Sequence, residues 1–176
     1  MRITQLHEIL STEQIQRRID EMGREINAFY KGEPLVAVCV LKGAFMFFSD
    51  LVKHLEGHPQ LDFVRLASYG NSTTSSRSIK FSKDIEIDLK GKHVLIVEDI
   101  VDTGRSMHFL FHQFEARGAK SLRLAALVDK KMRREVPVTV DFVGFTLPVG
   151  FIVGYGLDYA EEYRELPAIY EADVER

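Results

Sequence analysis

An α/β fold, with a central, mainly parallel twisted sheet flanked by helices, follows from three features of this sequence. Runs of β-favouring apolar residues alternate along the chain with segments of helical period, the pattern of strands joined by crossover helices. The runs at 35–41 and 94–97 are continuously apolar, as strands buried on both faces are. The run at 94–97 leads straight into Glu98, Asp99 and Asp102 and then into a Thr103-Gly104-Arg105-Ser106 turn. Ligands of open α/β sheets bind just beyond the carboxyl ends of strands. At 176 residues the chain is most simply one domain, 1–176.

The elements can be justified in order. Ser11-Thr12-Glu13-Gln14 reads as a capping box, in which a hydroxyl caps backbone N–H groups while Gln14 reaches back. Ile15, Ile19, Met22, Ile26 and Phe29 then recur at gaps of four and three, one apolar helix face ending near Gly32. The strand at 35–41 follows Pro34 and is broken at Lys42-Gly43, and a second helix spans 45–55. The stretch 61–66 alternates as a strand does, and 68–78 is small and polar throughout, which predicts an exposed, mobile loop. Two alternating halves, 79–81 and 85–89, predict a ribbon or flap. The helix after Gly104 runs to about Arg117, with Gly118 as its stop. Strands follow at 122–128 and 140–145, separated by the basic cluster Lys130, Lys131, Arg133, Arg134.

Composition narrows the function classes. The net charge of −3, from 23 basic and 26 acidic residues, gives no global pull toward nucleic acid or anionic membrane. The single Cys39 permits no internal disulfide and fits a reducing cytoplasm. No signal-peptide core follows Met1, and no apolar run approaches the roughly 18 residues of a membrane span. A cytoplasmic, non-membrane protein is the expectation.

The segment 94–106 carries the chemistry. Gly104 permits close backbone approach, Thr103 and Ser106 bring hydroxyls, and the N–H groups at a helix start bind phosphate. The Gly-Lys-Ser/Thr of a Walker A loop is absent. Neighbouring Glu98 and Asp99 point to opposite sides if the strand continues, and two carboxylates can accept from two vicinal hydroxyls. A sugar phosphate, a bound cation or both would use such a site. The plainer alternatives are a capped turn at Thr103 and a solvated acidic strand end.

The run Val97-Glu98-Asp99-Ile100-Val101-Asp102-Thr103-Gly104 resembles the phosphoribosyl pyrophosphate (PRPP) motif of type I phosphoribosyltransferases. Leu41-Lys42-Gly43-Ala44, Ser68-Tyr69-Gly70, Lys130, Asp141-Phe142-Val143-Gly144-Phe145 and Val153-Gly154-Tyr155-Gly156-Leu157-Asp158-Tyr159 are similar, in the same order, to segments of the hypoxanthine phosphoribosyltransferases among them. The resemblance implies the type I phosphoribosyltransferase fold, with a core of about 30–148 and a small hood from both termini over the base site. It implies transfer of 5-phosphoribosyl from PRPP to N9 of hypoxanthine or guanine in purine salvage, giving IMP or GMP and pyrophosphate, with Mg²⁺ as cofactor.

It also implies roles residue by residue. Glu98 and Asp99 would hold the ribose hydroxyls and, with Asp158, the metal. Asp102 through Ser106 (Asp102, Thr103, Gly104, Arg105, Ser106) would cradle the 5′-phosphate, and Asp102 would exchange a proton with purine N7. Arg105 departs from the lysine frequent there. Leu41, Lys42 and Gly43 would meet pyrophosphate across a cis peptide after Leu41, and Arg164 would join them. Lys130, a donor only, suits a 6-oxo group and penalises adenine. Phe151 would stack on the purine, and Ile152 would offer backbone contacts. Ser68 and Tyr69 would close over the site and exclude water, although Arg77 departs from the glycine expected in that loop.

Plainer alternatives stand beside these: a core aromatic for Phe151, a surface arginine for Arg164, and solvation for Lys130 as for Lys131, Arg133 and Arg134. His108 and His112 have metal-binding spacing but no evident third ligand. Two other functions share the fold: a xanthine- and guanine-preferring enzyme, separable by assaying four bases, and a nucleotide-sensing RNA-binding regulator, which requires a broad basic face. The expected partners are PRPP and a 6-oxopurine, with no nucleic acid and no membrane. A homodimer or homotetramer is expected from exposed apolar helices.

Overall fold

The computed structural model describes residues 2–69, 78–148 and 150–175. Along the chain run β1 (Arg2–Leu10), α1 (Thr12–Tyr30), β2 (Leu35–Leu41), α2 (Phe45–Val52), β3 (Gln60–Tyr69), β4 (Ser78–Lys83), β5 (His93–Val101), α3 (Arg105–Ala116), β6 (Ser121–Asp129), β7 (Phe142–Thr146), β8 (Ile152–Val153) and β9 (Ile169–Glu175). Among the described residues these strands form two sheets. The larger has the order β4-β3-β2-β5-β6-β7 and the smaller β1-β9-β8. Every pairing in the larger sheet is parallel except β3 with β4, so the mainly parallel sheet read from the sequence is the observed one.

The continuous apolar runs are explained by burial on both faces. Ala37, Cys39, Leu95 and Val97 point to one side of the sheet, where they pack with Ile15, Ile19, Met22 and Ile26 of α1 and Phe47 and Leu51 of α2. Val36, Val38, Val94 and Ile96 point to the other side, against Met107, Leu110 and Phe114 of α3. Because β2, β5 and β6 run parallel, their carboxyl ends meet on one edge, which carries the charged residues described below.

The capping box is present: Ser11 Oγ accepts from the Gln14 N–H at 3.3 Å and Gln14 Oε1 from the Ser11 N–H at 2.8 Å. Phe29, expected on the apolar face of α1, is instead half exposed. Tyr30 is buried in its place, and Phe29 lies edge-on to it at 5.0 Å. The helix of 45–55 stops at Val52. The ribbon keeps only its first half as strand, because the Asp62 carboxylate takes the N–H groups of Glu86 and Ile87, both at 2.8 Å. Three residues of 68–78, expected as a loop, are strand instead. Ser68 and Tyr69 belong to β3, in register with Ile79 and Ser78, and 70–77 lie outside the described residues.

The three strands of the smaller sheet were not foreseen. β1 and β9 pair antiparallel from Arg2↔Glu175 to Leu10↔Ile169, joining segments about 160 residues apart into the small sheet, with β8 on the far side of β9.

Candidate active site

The strand expected to end at Val97 continues to Val101, held by β6 through Ile100↔Val128 and Val101↔Asp129. This extension carries Glu98 and Asp99 into the sheet, each only 8% exposed. The Asp99 N–H donates to Glu98 Oε1 at 3.1 Å and the Ile100 N–H to Asp99 Oδ1 at 2.9 Å. Among the described residues no lysine or arginine forms an ion pair with either acid. Burial, and then the Asp99 charge, push Glu98 well above the usual carboxylate range. Burial also raises Asp99, against its hydrogen bonds and the more distant Arg164. The pair resists carrying two charges, and a cation or hydroxyl donors would relieve it.

Beyond β5 the chain turns through Asp102 and Thr103 into α3. The Thr103 carbonyl accepts from the N–H groups of Glu135 at 2.9 Å and Val136 at 3.0 Å, fixing the turn to the segment after β6. Gly104 has φ +84°, and a Cβ there would stand 2.6 Å from the Val136 carbonyl oxygen. A side chain is therefore excluded twice, by conformation and by space. Gly104, at the cap position of α3, has no side chain to cap it, and Thr103 Oγ1 takes only the Arg105 N–H, at 3.4 Å. The first N–H groups of α3 face a cavity of about 200 Å³ lined by Glu98, Asp99, Asp102, Thr103, Gly104 and Ser106, the geometry of an anion site at a helix N-terminus. Arg105 turns away to Glu135, with Nε 2.7 Å from Oε2, so its side chain does not line that cavity.

On the opposite side stands the turn after β2. The Leu41–Lys42 peptide is cis, as the resemblance implied. Gly43 lies flat against Asp99, where a Cβ would meet Oδ2 at 1.8 Å. Gly156 in turn lies against the Gly43 carbonyl, where a Cβ would meet the oxygen at 2.0 Å. Three distant segments thus meet in van der Waals contact. Arg164 stitches the third one: Nη1 donates to the Gly156 carbonyl at 2.7 Å and Nη2 lies 2.8 Å from Asp158 Oδ1. It is mostly buried, not the surface arginine of the plainer alternative. Asp158 Oδ2 accepts from the Glu161 N–H at 2.9 Å. The Lys42 ammonium, 2.6 Å from Glu161 Oε2, holds that carboxylate below the usual range.

The fourth wall comes from 129–134 and 150–152. Lys130 is 4% exposed. Its ammonium donates to the Gly150 carbonyl, and burial pushes its pKa down while Asp102 works the other way. Arg133 and Arg134, expected in solvent, are engaged instead. Arg133 Nε stands 3.1 Å from Asp102 Oδ1, and Arg134 pairs with the buried Asp129. Asp102 Oδ1 is buried and, the Arg133 ion pair apart, makes no hydrogen bond. Phe151 is exposed, edge-on to Tyr159 with ring centres 5.5 Å apart. Ile152 is buried in β8, in register with Glu171. Ser68 is exposed near the end of β3.

Among the described residues no three of His, Cys, Asp and Glu gather closely enough to cage a metal, His108 and His112 included. Magnesium, however, is ordinarily held by one or two carboxylates with substrate oxygens and water, which Glu98 and Asp99 fit. Asp158 has both oxygens engaged and fits a water-mediated contact. Sequence reasoning missed Arg133, Gly156 and Glu161. The basic cluster directly after a strand parallel to β5, and the three-residue spacing of Glu161 and Arg164, were the available signals.

The phosphoribosyl transferase domain family matches residues 5–160. The chain is 44% identical over 161 residues to the hypoxanthine-guanine phosphoribosyltransferase of Bacillus subtilis, covering 92% of this chain and 89% of that one. It is 44% identical over 158 residues to the hypoxanthine phosphoribosyltransferase of Escherichia coli, covering 89% of each. A crystal structure of a hypoxanthine-guanine phosphoribosyltransferase from Bacillus anthracis superposes with a TM-score of 0.89 at 39% identity, covering 98% of this chain and 99% of that one.

Proposed function

The chain belongs to the hypoxanthine phosphoribosyltransferase family, and from that premise we propose that it transfers 5-phosphoribosyl from PRPP to N9 of hypoxanthine or guanine, forming IMP or GMP and pyrophosphate. The observation that carries the reading is the buried pair Glu98 and Asp99, with which no lysine or arginine among the described residues forms an ion pair, beside the glycine-led start of α3. One feature favours hydroxyls or a cation and the other an anion, and both line one cavity.

In this reading the α3 amides, with Thr103, Gly104 and Ser106, bind the 5′-phosphate, to which Arg105 adds its backbone. Glu98 and Asp99 accept from the ribose hydroxyls. Mg²⁺, held by those two acids and through water by Asp158, would offset the charge of the departing diphosphate. Lys42, the Leu41 and Gly43 backbone and Arg164 receive that diphosphate. Lys130, already buried and donating to a carbonyl, donates to the 6-oxo group, Phe151 stacks on the ring, and Ile152 adds backbone contacts. Asp102 takes or returns the N7 proton through Oδ1, which is ion-paired with Arg133 but makes no hydrogen bond. Ser68 and Tyr69 cover the reacting centre.

No helix of the described residues is long and apolar enough to cross a membrane, and we read the enzyme as cytoplasmic. Exposed Phe29, Phe45, Leu61 and Phe63 favour a homodimer or homotetramer, which sedimentation would count. The deciding assay is Mg²⁺- and PRPP-dependent formation of IMP from hypoxanthine, with guanine, xanthine and adenine alongside. Conversion of no purine base would reject the function, and strong turnover of adenine would reject the role of Lys130.

A further inference from the structure

We propose that Glu161 is an internal stand-in for the diphosphate: its carboxylate occupies the cations of the pyrophosphate subsite when no substrate is bound, and every productive binding event displaces it. The proposal rests on the reading of that subsite given above and concerns a residue that reading does not use.

The geometry is that of a bound anion. One oxygen, Glu161 Oε2, is approached by the Lys42 ammonium at 2.6 Å and by the Arg164 guanidinium at 3.5 Å. The two cations come from segments more than 100 residues apart, and a phosphoryl oxygen would be shared between an ammonium and a guanidinium in the same way. The backbone is set to deliver this carboxylate. Ala160, Glu161 and Tyr163 have φ of 51°, 71° and 73°, in the left-handed region that side chains disfavour. The loop is held there by paired hydrogen bonds between Tyr159 and Glu162, 3.1 and 3.0 Å, and by the Glu161 N–H on Asp158 Oδ2. These bonds fix the backbone from which the carboxylate reaches Lys42 and Arg164.

The arrangement has a use. Asp158 already compensates Arg164, so without Glu161 the Lys42 ammonium would present uncompensated charge beside the turn that must receive a diphosphate. With Glu161 in place the subsite is neutral at rest, and the carboxylate can return as pyrophosphate leaves. It therefore weakens diphosphate binding and hastens release. Because Lys42 and Glu161 are both substantially exposed, the competition is modest: an exposed pair of this kind corresponds to about two- to fivefold in a dissociation constant.

The test is calorimetric titration of the full chain with inorganic pyrophosphate at fixed Mg²⁺. Glu161→Gln keeps the shape and removes the charge, and Glu161→Ala guards against a new contact made by the amide. Both are expected to bind pyrophosphate about two- to fivefold more tightly than the parent, and Lys42→Met more weakly. Unchanged or weaker binding by both Glu161 variants, with Lys42→Met still weakened, overturns the proposal and leaves the subsite assignment standing. Pyrophosphate binding that ignores Lys42 overturns the subsite and the proposal together.

Discussion

Two acidic clusters face each other across Gly43, and the protein treats them oppositely. Glu98 and Asp99 are buried, adjacent and without a cation, and their pKa values are raised. Asp158 and Glu161 are exposed or half-buried and fully engaged, by Arg164 and Lys42. The first cluster has no lysine or arginine partner among the described residues and resists carrying two charges. The second is complete in itself and has to be opened. Charge density alone would have ranked the two alike. What separates them is whether each carboxylate already has its partner, which in turn sets what it can accept.

The sharpest way to test that difference is Asp102, which follows the buried pair along the chain and whose buried Oδ1 is ion-paired with Arg133 but makes no hydrogen bond. Asp102→Asn is expected to lower kcat about 10²- to 10⁴-fold while leaving PRPP affinity nearly intact. A loss confined to KM would place Asp102 in binding rather than proton transfer. Next is Gly43→Ala, which drives a methyl into Asp99 and so pries the clusters apart. About 3 kcal/mol of stability should disappear together with activity. A variant with parental urea unfolding and turnover would show the contact to be dispensable.

Lys130 is the buried cation that neither acidic cluster uses. Lys130→Met should erase the preference for hypoxanthine over adenine by about 10- to 200-fold in kcat/KM. The parent's turnover of hypoxanthine should fall as pH rises through the lowered Lys130 pKa, because only the ammonium donates reliably to the 6-oxo group. A pH profile unchanged by the substitution contradicts this. The smallest effect concerns Glu98. A carboxyl whose folded pKa is raised binds its proton more tightly in the folded state. Stability therefore rises as pH falls through that raised value and levels off below the ordinary carboxylate range. Glu98→Gln should flatten this slope and stabilise the free protein at neutral pH by on the order of 1 kcal/mol. Thermal melts at several pH values check it, and a lower Tm at neutral pH would mean that Glu98 is already compensated.

How far all this was legible depends on whether the signal was local. The capping box at Ser11, the apolar runs of β2 and β5 and the stop at Gly118 are properties of a few consecutive residues, and they were readable. β1 and β9 were not, because each is a half-polar strand whose only reason to be extended is the other, across the whole chain. Phe29 and Tyr30 exchanged places because periodicity fixes a face to within a residue, and neighbouring packing chooses between adjacent aromatics. In the site, the residues of 98–106 could be found from their order. That Glu98 and Asp99 lie inside the sheet depends on how far β6 runs beside them, and that Arg133 reaches Asp102 depends on the turn after β6. Neither distance is written in the spacing of the residues involved.

The meeting of Gly43, Asp99 and Gly156 has a consequence for how the protein comes to work at all. Contacts among positions so far apart in sequence close large loops and form late. Each βαβ unit can gather its own apolar residues early, but no such unit holds more than a fraction of the catalytic surface. A refolding chain should therefore recover its circular dichroism first and its turnover last, and enzymatic activity becomes a clock for the final docking of the fold.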